Sequence, residues 1–296
     1  MYAWTGCQRW VAVATAVVVV SSIQVAAAPP AAALPALHMV ITRNEGSFNQ
    51  VNPKSAEANC PPGTLVVGGG GEIQGRQDWR FKLTGMEPKG AQGLKPSRFV
   101  ASAVASSHSD PNQQDELWSL LAYALCVDAA AMQPYQIVSH TSLKTSGVFM
   151  SDAVRCLIPG TVAYSAGGLA PDPWGGFGLQ MVRTSGPLDI GRATVRAAGN
   201  SVSTPWSMTT YVVCGPRKDG IAAYGNIVDG SWGSLQCPAA QQIHGAGGGL
   251  GLSDGGFTWL RNLFPNQNGL SMFVQMTASG PDSQTLAHAT CAARTS

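Results

Sequence analysis

The stretch Cys60-Pro-Pro-Gly-Thr-Leu-Val-Val-Gly-Gly-Gly-Gly-Glu-Ile73, or CPPGTLVVGGGGEI, runs a short apolar segment into four glycines. How those glycines are read decides the fold. A phosphate-binding loop also begins this way, but it needs a Lys and a Ser or Thr directly after the glycines to neutralise phosphate and hold the metal. Glu72 and Ile73 stand there instead, and a carboxylate would repel phosphate. The same plan recurs as CLIPGTVAYSAGGLA from Cys156 and CPAAQQIHGAGGGLG from Cys237. With one extra residue allowed in the second copy, Gly70 and Gly71 fall on Gly167 and Gly168, and on Gly247 and Gly248. The glycines therefore belong to a threefold repeat. Glycine inside a strand marks a bulge, a bend or the close approach of another backbone. Three units meeting about a common axis would need such an approach at equivalent points, so each Gly-Gly pair is expected near that axis.

The rest of the unit shares the plan. A strand runs toward a proline in FKLTGMEP (81–88), FGLQMVRTSGP (177–187) and FTWLRNLFP (257–265), and another comes next in RFVASAVAS, RATVRAAGNS and LSMFVQMTAS. Each unit closes on a cysteine, in WSLLAYALC, WSMTTYVVC and SQTLAHATC, and opens with a strand ahead of its first cysteine, in HMVITR, YQIVSHTS and AAYGNIV. Short strands rich in β-branched residues and punctuated by Gly and Pro indicate an all-β fold. No window carries sustained helical spacing with caps. The expectation is three pseudo-equivalent antiparallel units of about five strands, at 37–128, 129–216 and 217–296, packed as one domain in a β-prism-like arrangement with pseudo-threefold symmetry. Unit one carries a polar insertion, SSHSDPNQQDE (106–116). In the closing strand, Trp118, Leu120, Ala122, Ala124 and Cys126 share one face by alternation, and that Trp and Cys face is the expected core.

The first 36 residues hold a single charge, Arg9, then an apolar run from Trp10 to Val20 and small residues. That order reads as a secretory signal peptide (1–36). The apolar run is well short of the ~20 residues that span a bilayer, so the mature chain is expected to have no transmembrane segment and to be secreted or held at the extracellular surface. The remaining length suits one large β domain or two ordinary ones. Whole-chain charge is balanced, with 18 Lys and Arg against 16 Asp and Glu, which supplies no electrostatic reason for nucleic acid as a partner. Only 11% of residues are charged, against ~25% in an average chain, as suits a β protein with a Ser, Thr, Asn and Gln surface. Beyond Cys7 in the leader, six cysteines remain: Cys60, Cys126, Cys156, Cys214, Cys237 and Cys291. An even number in an exported chain reads as disulfides. Repeat identity pairs Cys60 with Cys126, Cys156 with Cys214 and Cys237 with Cys291, each bond worth on the order of 4 kcal/mol by loop-closure entropy. A competing scheme links successive units through Cys126–Cys156 and Cys214–Cys237.

The pattern resembles repeats of secreted actinobacterial proteins, in which CPAGxxVxGGGA is followed by a Pro-containing turn and a closing WSLTAYAICA. Here CPPGTLVVGGGG with WSLLAYALC, CLIPGTVAYSAGG with WSMTTYVVC and the degenerate CPAAQQIHGAGGG with TLAHATC carry the likeness. It covers nearly the whole mature chain and implies no established activity. Threefold units opening on Cys-Pro-x-Gly are also similar, more distantly, to the vitelline membrane outer layer protein family. That likeness implies a β-prism of three Greek-key sheets and an extracellular, glycan-related role.

No catalytic constellation stands out. The five histidines have no metal-binding spacing and G-x-S-x-G is absent, so no metal ligand, nucleophile or cofactor is expected. Glu72 and Glu87 flank the strand after the glycines as the best pair for glycoside hydrolysis, which needs two carboxyl groups ~5–9.5 Å apart. Their plainer reading is two solvated residues at strand ends. The stronger signal is aromatic. Trp79, Trp174 and Phe257 lie at matched places in QGRQDWRF, APDPWGGFG and SDGGFTW, with Asp78, Asp172 and Asp254 nearby. Exposed rings beside Asp and backbone amides bind sugars by stacking and hydroxyl bonding; buried, the same rings would plug the ends of the sheets. Tyr123, Tyr211 and His288 also align, each three residues before its closing cysteine, and read as lateral packing residues. The functional expectation is a non-enzymatic binding module for cell-wall or environmental polysaccharide. The alternatives are a cell-surface structural protein without a small-molecule site, and a polysaccharide or peptidoglycan hydrolase.

Overall fold

The computed structural model describes residues 40–75, 80–93, 96–105, 117–170, 176–185, 191–199, 205–218, 220–251, 258–277 and 284–293. Unit one forms β1 (Val40–Glu45), β2 (Lys54–Asn59), β3 (Thr64–Gln74), β4 (Phe81–Lys89), β5 (Arg98–Ala105) and β6 (Ser119–Asp128). Unit two forms β7 (Gln136–Thr141), β8 (Phe149–Arg155), β9 (Thr161–Leu169), β10 (Phe177–Thr184), β11 (Arg192–Gly199) and β12 (Thr209–Pro216). Unit three forms β13 (Ala222–Asp229), β14 (Trp232–Gln236), β15 (Gln241–Leu250), β16 (Leu260–Pro265), β17 (Ser271–Met276) and β18 (Gln284–Ala293). The fold is all-β, and each unit has six strands where about five were expected. The added strand, β2, β8 or β14, directly precedes the opening cysteine. In β2 buried Lys54, Ala56 and Ala58 alternate with exposed Ser55, Glu57 and Asn59, the pattern of an edge strand with one wet face.

Each unit is divided between two sheets. The orders are β1-β6-β3-β16-β17-β14, β2-β5-β4-β9-β12-β7 and β13-β18-β15-β10-β11-β8. The first, sixth and third strands of a unit form one half-sheet, and its second, fifth and fourth strands form another. Each half continues into a neighbouring unit, one to two, two to three and three to one. That cyclic exchange is the topological form of a pseudo-threefold arrangement, and all pairings across the seams are antiparallel.

The seams explain the glycines. Leu263 pairs with Gly71, Met86 with Gly168 and Val182 with Gly248, the register the repeat alignment implies. A Cβ on Gly70 would meet the Leu263 carbonyl, one on Gly167 the Met86 carbonyl, and one on Gly247 would lie 2.7 Å from the Val182 carbonyl. The first glycine of every pair thus admits the next unit's backbone. The second faces its own unit's core, where a Cβ would meet Leu83 from Gly71, Val195 from Gly168 and Val274 from Gly248.

Bulges add the bend. Register slips by one residue at Val67, Tyr164 and His244 on the glycine strands, and at Thr84, Gln180 and Arg261 on β4, β10 and β16. All six bulged residues are buried, and a bulge turns a strand sharply. Gly68 and Gly245 come directly after two of them and meet other units at the axis. A Cβ on Gly68 would lie 2.8 Å from the His244 carbonyl and 3.1 Å from Gly245 Cα, and one on Gly245 would lie 3.1 Å from Ser165 Cα.

The disulfides are Cys60–Cys126, Cys156–Cys214 and Cys237–Cys291, all within units. The closing strand β6 is buried on both faces up to Val127, so its core is wider than the Trp and Cys face alone. Among the described residues no helix is long and apolar enough to cross a membrane.

Candidate functional site

Asp78, Trp79, Asp172, Trp174, Asp254 and Phe257 all lie outside the described residues. The strands that these segments enter are described. Arg80, Gly176 and Thr258 lead into β4, β10 and β16, and these three strands are mutual neighbours about the axis. Their first turns form a shared floor. Lys82 Nζ sits 4.2 Å from the centroid of the Trp259 ring, and Gly178 fits between them, since a Cβ there would lie 2.5 Å from Trp259 Cδ1 and 2.8 Å from Lys82 Cδ. Lys82, Gly178 and Trp259 come from three different units.

Around that contact lie buried Arg80, Phe81, Gln180 and Arg261. The guanidinium carbons of Arg80 and Arg261 each stand 5.9 Å from the Phe81 ring centroid, and Phe81 tilts against Trp118 at 5.3 Å. Gln180 donates from Nε2 to the Thr258 carbonyl at 3.1 Å, tying unit two to unit three. Cations on aromatic faces in a dry setting are each worth up to ~2 kcal/mol. The floor is therefore buried, cationic and aromatic, and three segments of like composition precede its strands in sequence. Repeat matching pointed to those segments; the cationic floor had no signal, because Lys82, Gly178 and Trp259 share position but not chemistry.

The aligned residues of the closing strands sit on the seams. Tyr123 pairs with Gly70, Tyr211 with Gly167 and His288 with Gly247. With no side chain on the middle strand, each ring reaches over the glycine toward the next unit, as aromatic residues do beside cross-strand glycine. Tyr123 stacks on Phe264 at 5.6 Å. Tyr211 donates its hydroxyl to Glu87 Oε2 at 2.9 Å. His288 lies beside Arg183, and burial, with the Arg183 charge second, pushes its pKa down to about 4.

The carboxylates differ from their plainer reading. Glu87 is buried at 7% exposure and is held by Tyr211 and by Lys89 Nζ at 2.8 Å. Glu72 accepts from the Tyr123 hydroxyl. Burial and the Glu87 charge raise the Tyr211 pKa, so its hydroxyl keeps the proton it donates. Glu72 and Glu87 belong to separate sheets and each is engaged by a different tyrosine, which is a structural use of both. Among the described residues no group of His, Cys, Asp and Glu could hold a metal ion.

His244 is fully buried near the axis. Burial pushes its pKa down to about 4, so it is neutral at pH 7, and its ring meets Tyr164 edge-on at 5.9 Å. Among the described residues neither ring nitrogen has a hydrogen-bond partner. In comparisons with known proteins, no protein-family model matches the chain and no curated protein matches it.

Proposed function

We propose that the mature protein is a secreted, non-catalytic module that binds cell-wall or environmental polysaccharide. The ligand is held by the segments carrying Asp78, Trp79, Asp172, Trp174, Asp254 and Phe257. The observation that carries this reading is the convergence of β4, β10 and β16 on one cationic, aromatic floor. Three segments rich in Gly, each with an Asp and an aromatic residue, lead into that one place. Three disulfides favour an oxidising compartment, in keeping with the leader-like first 36 residues. A stacked ring contributes ~1 kcal/mol beyond its buried area, so one segment alone binds weakly and three together gain through effective concentration.

The test is a glycan array and then retention on the polymer it identifies. Trp79→Ala and Trp174→Ala should each weaken retention several-fold while leaving the melting temperature nearly unchanged. A large loss of stability with unchanged retention would make the rings structural plugs, and the reading as a cell-surface structural protein would replace this one.

A further inference from the structure

The three seams share one backbone plan, but their outer faces are filled differently. On the seam between units one and three, Tyr123, Phe264 and Phe273 pack at 5.6 and 5.5 Å, and Glu72 projects beside them from the position opposite Leu121. On the seam between units one and two, Tyr211 closes on Glu87 and Lys89, with Leu169 in the place of Glu72. The seam between units two and three has Gly249 at that place, opposite Leu286 and Met181. Where Phe264 and Glu87 stand, it has Arg183. The outcome is an open cleft of about 260 Å³, lined by Met181, Arg183, Arg196, Ile227, Leu250 and Leu286.

Two cations on an apolar wall define its chemistry. Arg183 is exposed and Arg196 half-buried, and they occupy adjacent strands on a diagonal two register positions apart, Arg196 lying opposite Met181. Arg196 lies 5.1 Å from the Phe149 ring centroid. Among the described residues neither guanidinium has a carboxylate partner. Two described acids on the neighbouring strands are engaged elsewhere: Asp152 on β8 with His140 at 2.9 Å, and Asp229 on β13 with Gln284 at 3.4 Å. The volume lies just under the ~300 Å³ lower bound of ordinary small-ligand sites. Among the described residues the wall offers four large apolar side chains and no side-chain hydroxyl or amide for a sugar ring.

We propose that this cleft binds a small amphiphilic carboxylate, such as a medium-chain fatty acid. Arg183 and Arg196 take the carboxylate, and Met181, Ile227, Leu250 and Leu286 take the apolar body. The assignment rests on the described residues of the cleft alone and not on the polysaccharide reading. A paired guanidinium recognises a carboxylate through charge-assisted bonds, while the apolar wall excludes a hydrophilic acid of the same charge.

The probe is decanoate, titrated calorimetrically into the full mature chain, with decanol and oligogalacturonate as the uncharged and hydrophilic counterparts. Decanoate should bind, and Arg183→Gln and Arg196→Gln should each weaken it about ten-fold, the worth of one charged hydrogen bond. Arg217→Gln, at an exposed position outside the cleft, should leave it unchanged. Decanol should bind about ten-fold more weakly than decanoate, an arm that needs no variant to fold. The His288 ring resonances should titrate at higher pH with decanoate present, because the bound anion offsets the Arg183 charge. Equal binding of decanol, undiminished binding by both Gln variants, preference for oligogalacturonate, or no decanoate binding at millimolar concentration would each overturn the assignment.

Discussion

The seam between units one and three and the seam between units two and three make an instructive pair. Both place a glycine between a ring on the closing strand and the fourth strand of the neighbouring unit, and both bring a carbonyl against that glycine, from Leu263 in one and Val182 in the other. In the first the ring is Tyr123 and its target Phe264, and the outer face is packed shut. In the second the ring is His288, its target Arg183, and the outer face stays open. The backbone junction is common to both, while the filling above it is free to diverge. Stability therefore resides in the glycines and the units' own cores, and specificity can be written on the seam surface without rebuilding the fold.

The largest expected effect comes from closing a junction. Gly167→Ala puts a Cβ against the Met86 carbonyl and Pro88 ring, where neither backbone can yield cheaply. It should cost about 3 kcal/mol in urea unfolding, the upper range for overpacking. Gly225→Ala on edge strand β13, where the nearest atom would be 3.6 Å away, should change stability by less than ~0.5 kcal/mol. Equal losses in the two variants would remove the distinction between junction and edge.

Acid should act at a similar scale. His244 and His288 both have pKa values pushed from the ordinary 6.5 to about 4, so between those values the unfolded chain binds protons that the folded chain does not. Their stabilising share is complete above pH 6.5 and is lost as pH falls toward 4, by up to ~3 kcal/mol for each residue. His244→Leu should flatten about half of that decline, measured as unfolding free energy from pH 7 to 4. It should cost little at pH 7, since among the described residues neither ring nitrogen has a partner to lose. An unchanged pH profile in this variant would show that His244 is not a source of the acid sensitivity.

Smaller still is the polar seam. Tyr211→Phe removes the hydroxyl held by buried Glu87 and leaves the carboxylate to Lys89, a loss of about 1.5 kcal/mol, the low end for a hydrogen bond to a charged group. Tyr123→Phe should cost less, because the stack on Phe264 survives and Glu72 is only half-buried.

These contrasts also mark what could be read in the sequence. Repeat spacing located the glycine register and the disulfides, because equivalent residues in a threefold fold meet equivalent partners. The strand KSAEAN was hidden by its small and charged residues, although Ala56 and Ala58 alternate correctly with Glu57. Sheet sharing had no signal, since nothing in the periodicity of β16 says that it pairs with β3 and not with a strand of its own unit. The burial of Glu87 depends on Tyr211, 124 residues away, and no local pattern carries that. Of the proposed site, matched composition points to the three segments from sequence alone, while the described strand starts that follow them carry unlike residues, Lys82, Gly178 and Trp259.

The most direct test is to move one seam's filling onto the other. His288→Tyr combined with Arg183→Phe writes the Tyr123–Phe264 stack over Gly247. If the junctions are interchangeable, the double variant should fold with an unfolding free energy equal to or above that of the wild type at pH 7, and gain most at pH 5, where His288 no longer titrates. A loss of more than about 2 kcal/mol, beyond the ordinary cost of a tolerated core exchange, would contradict the account, because the seams would then be three separate solutions and not one.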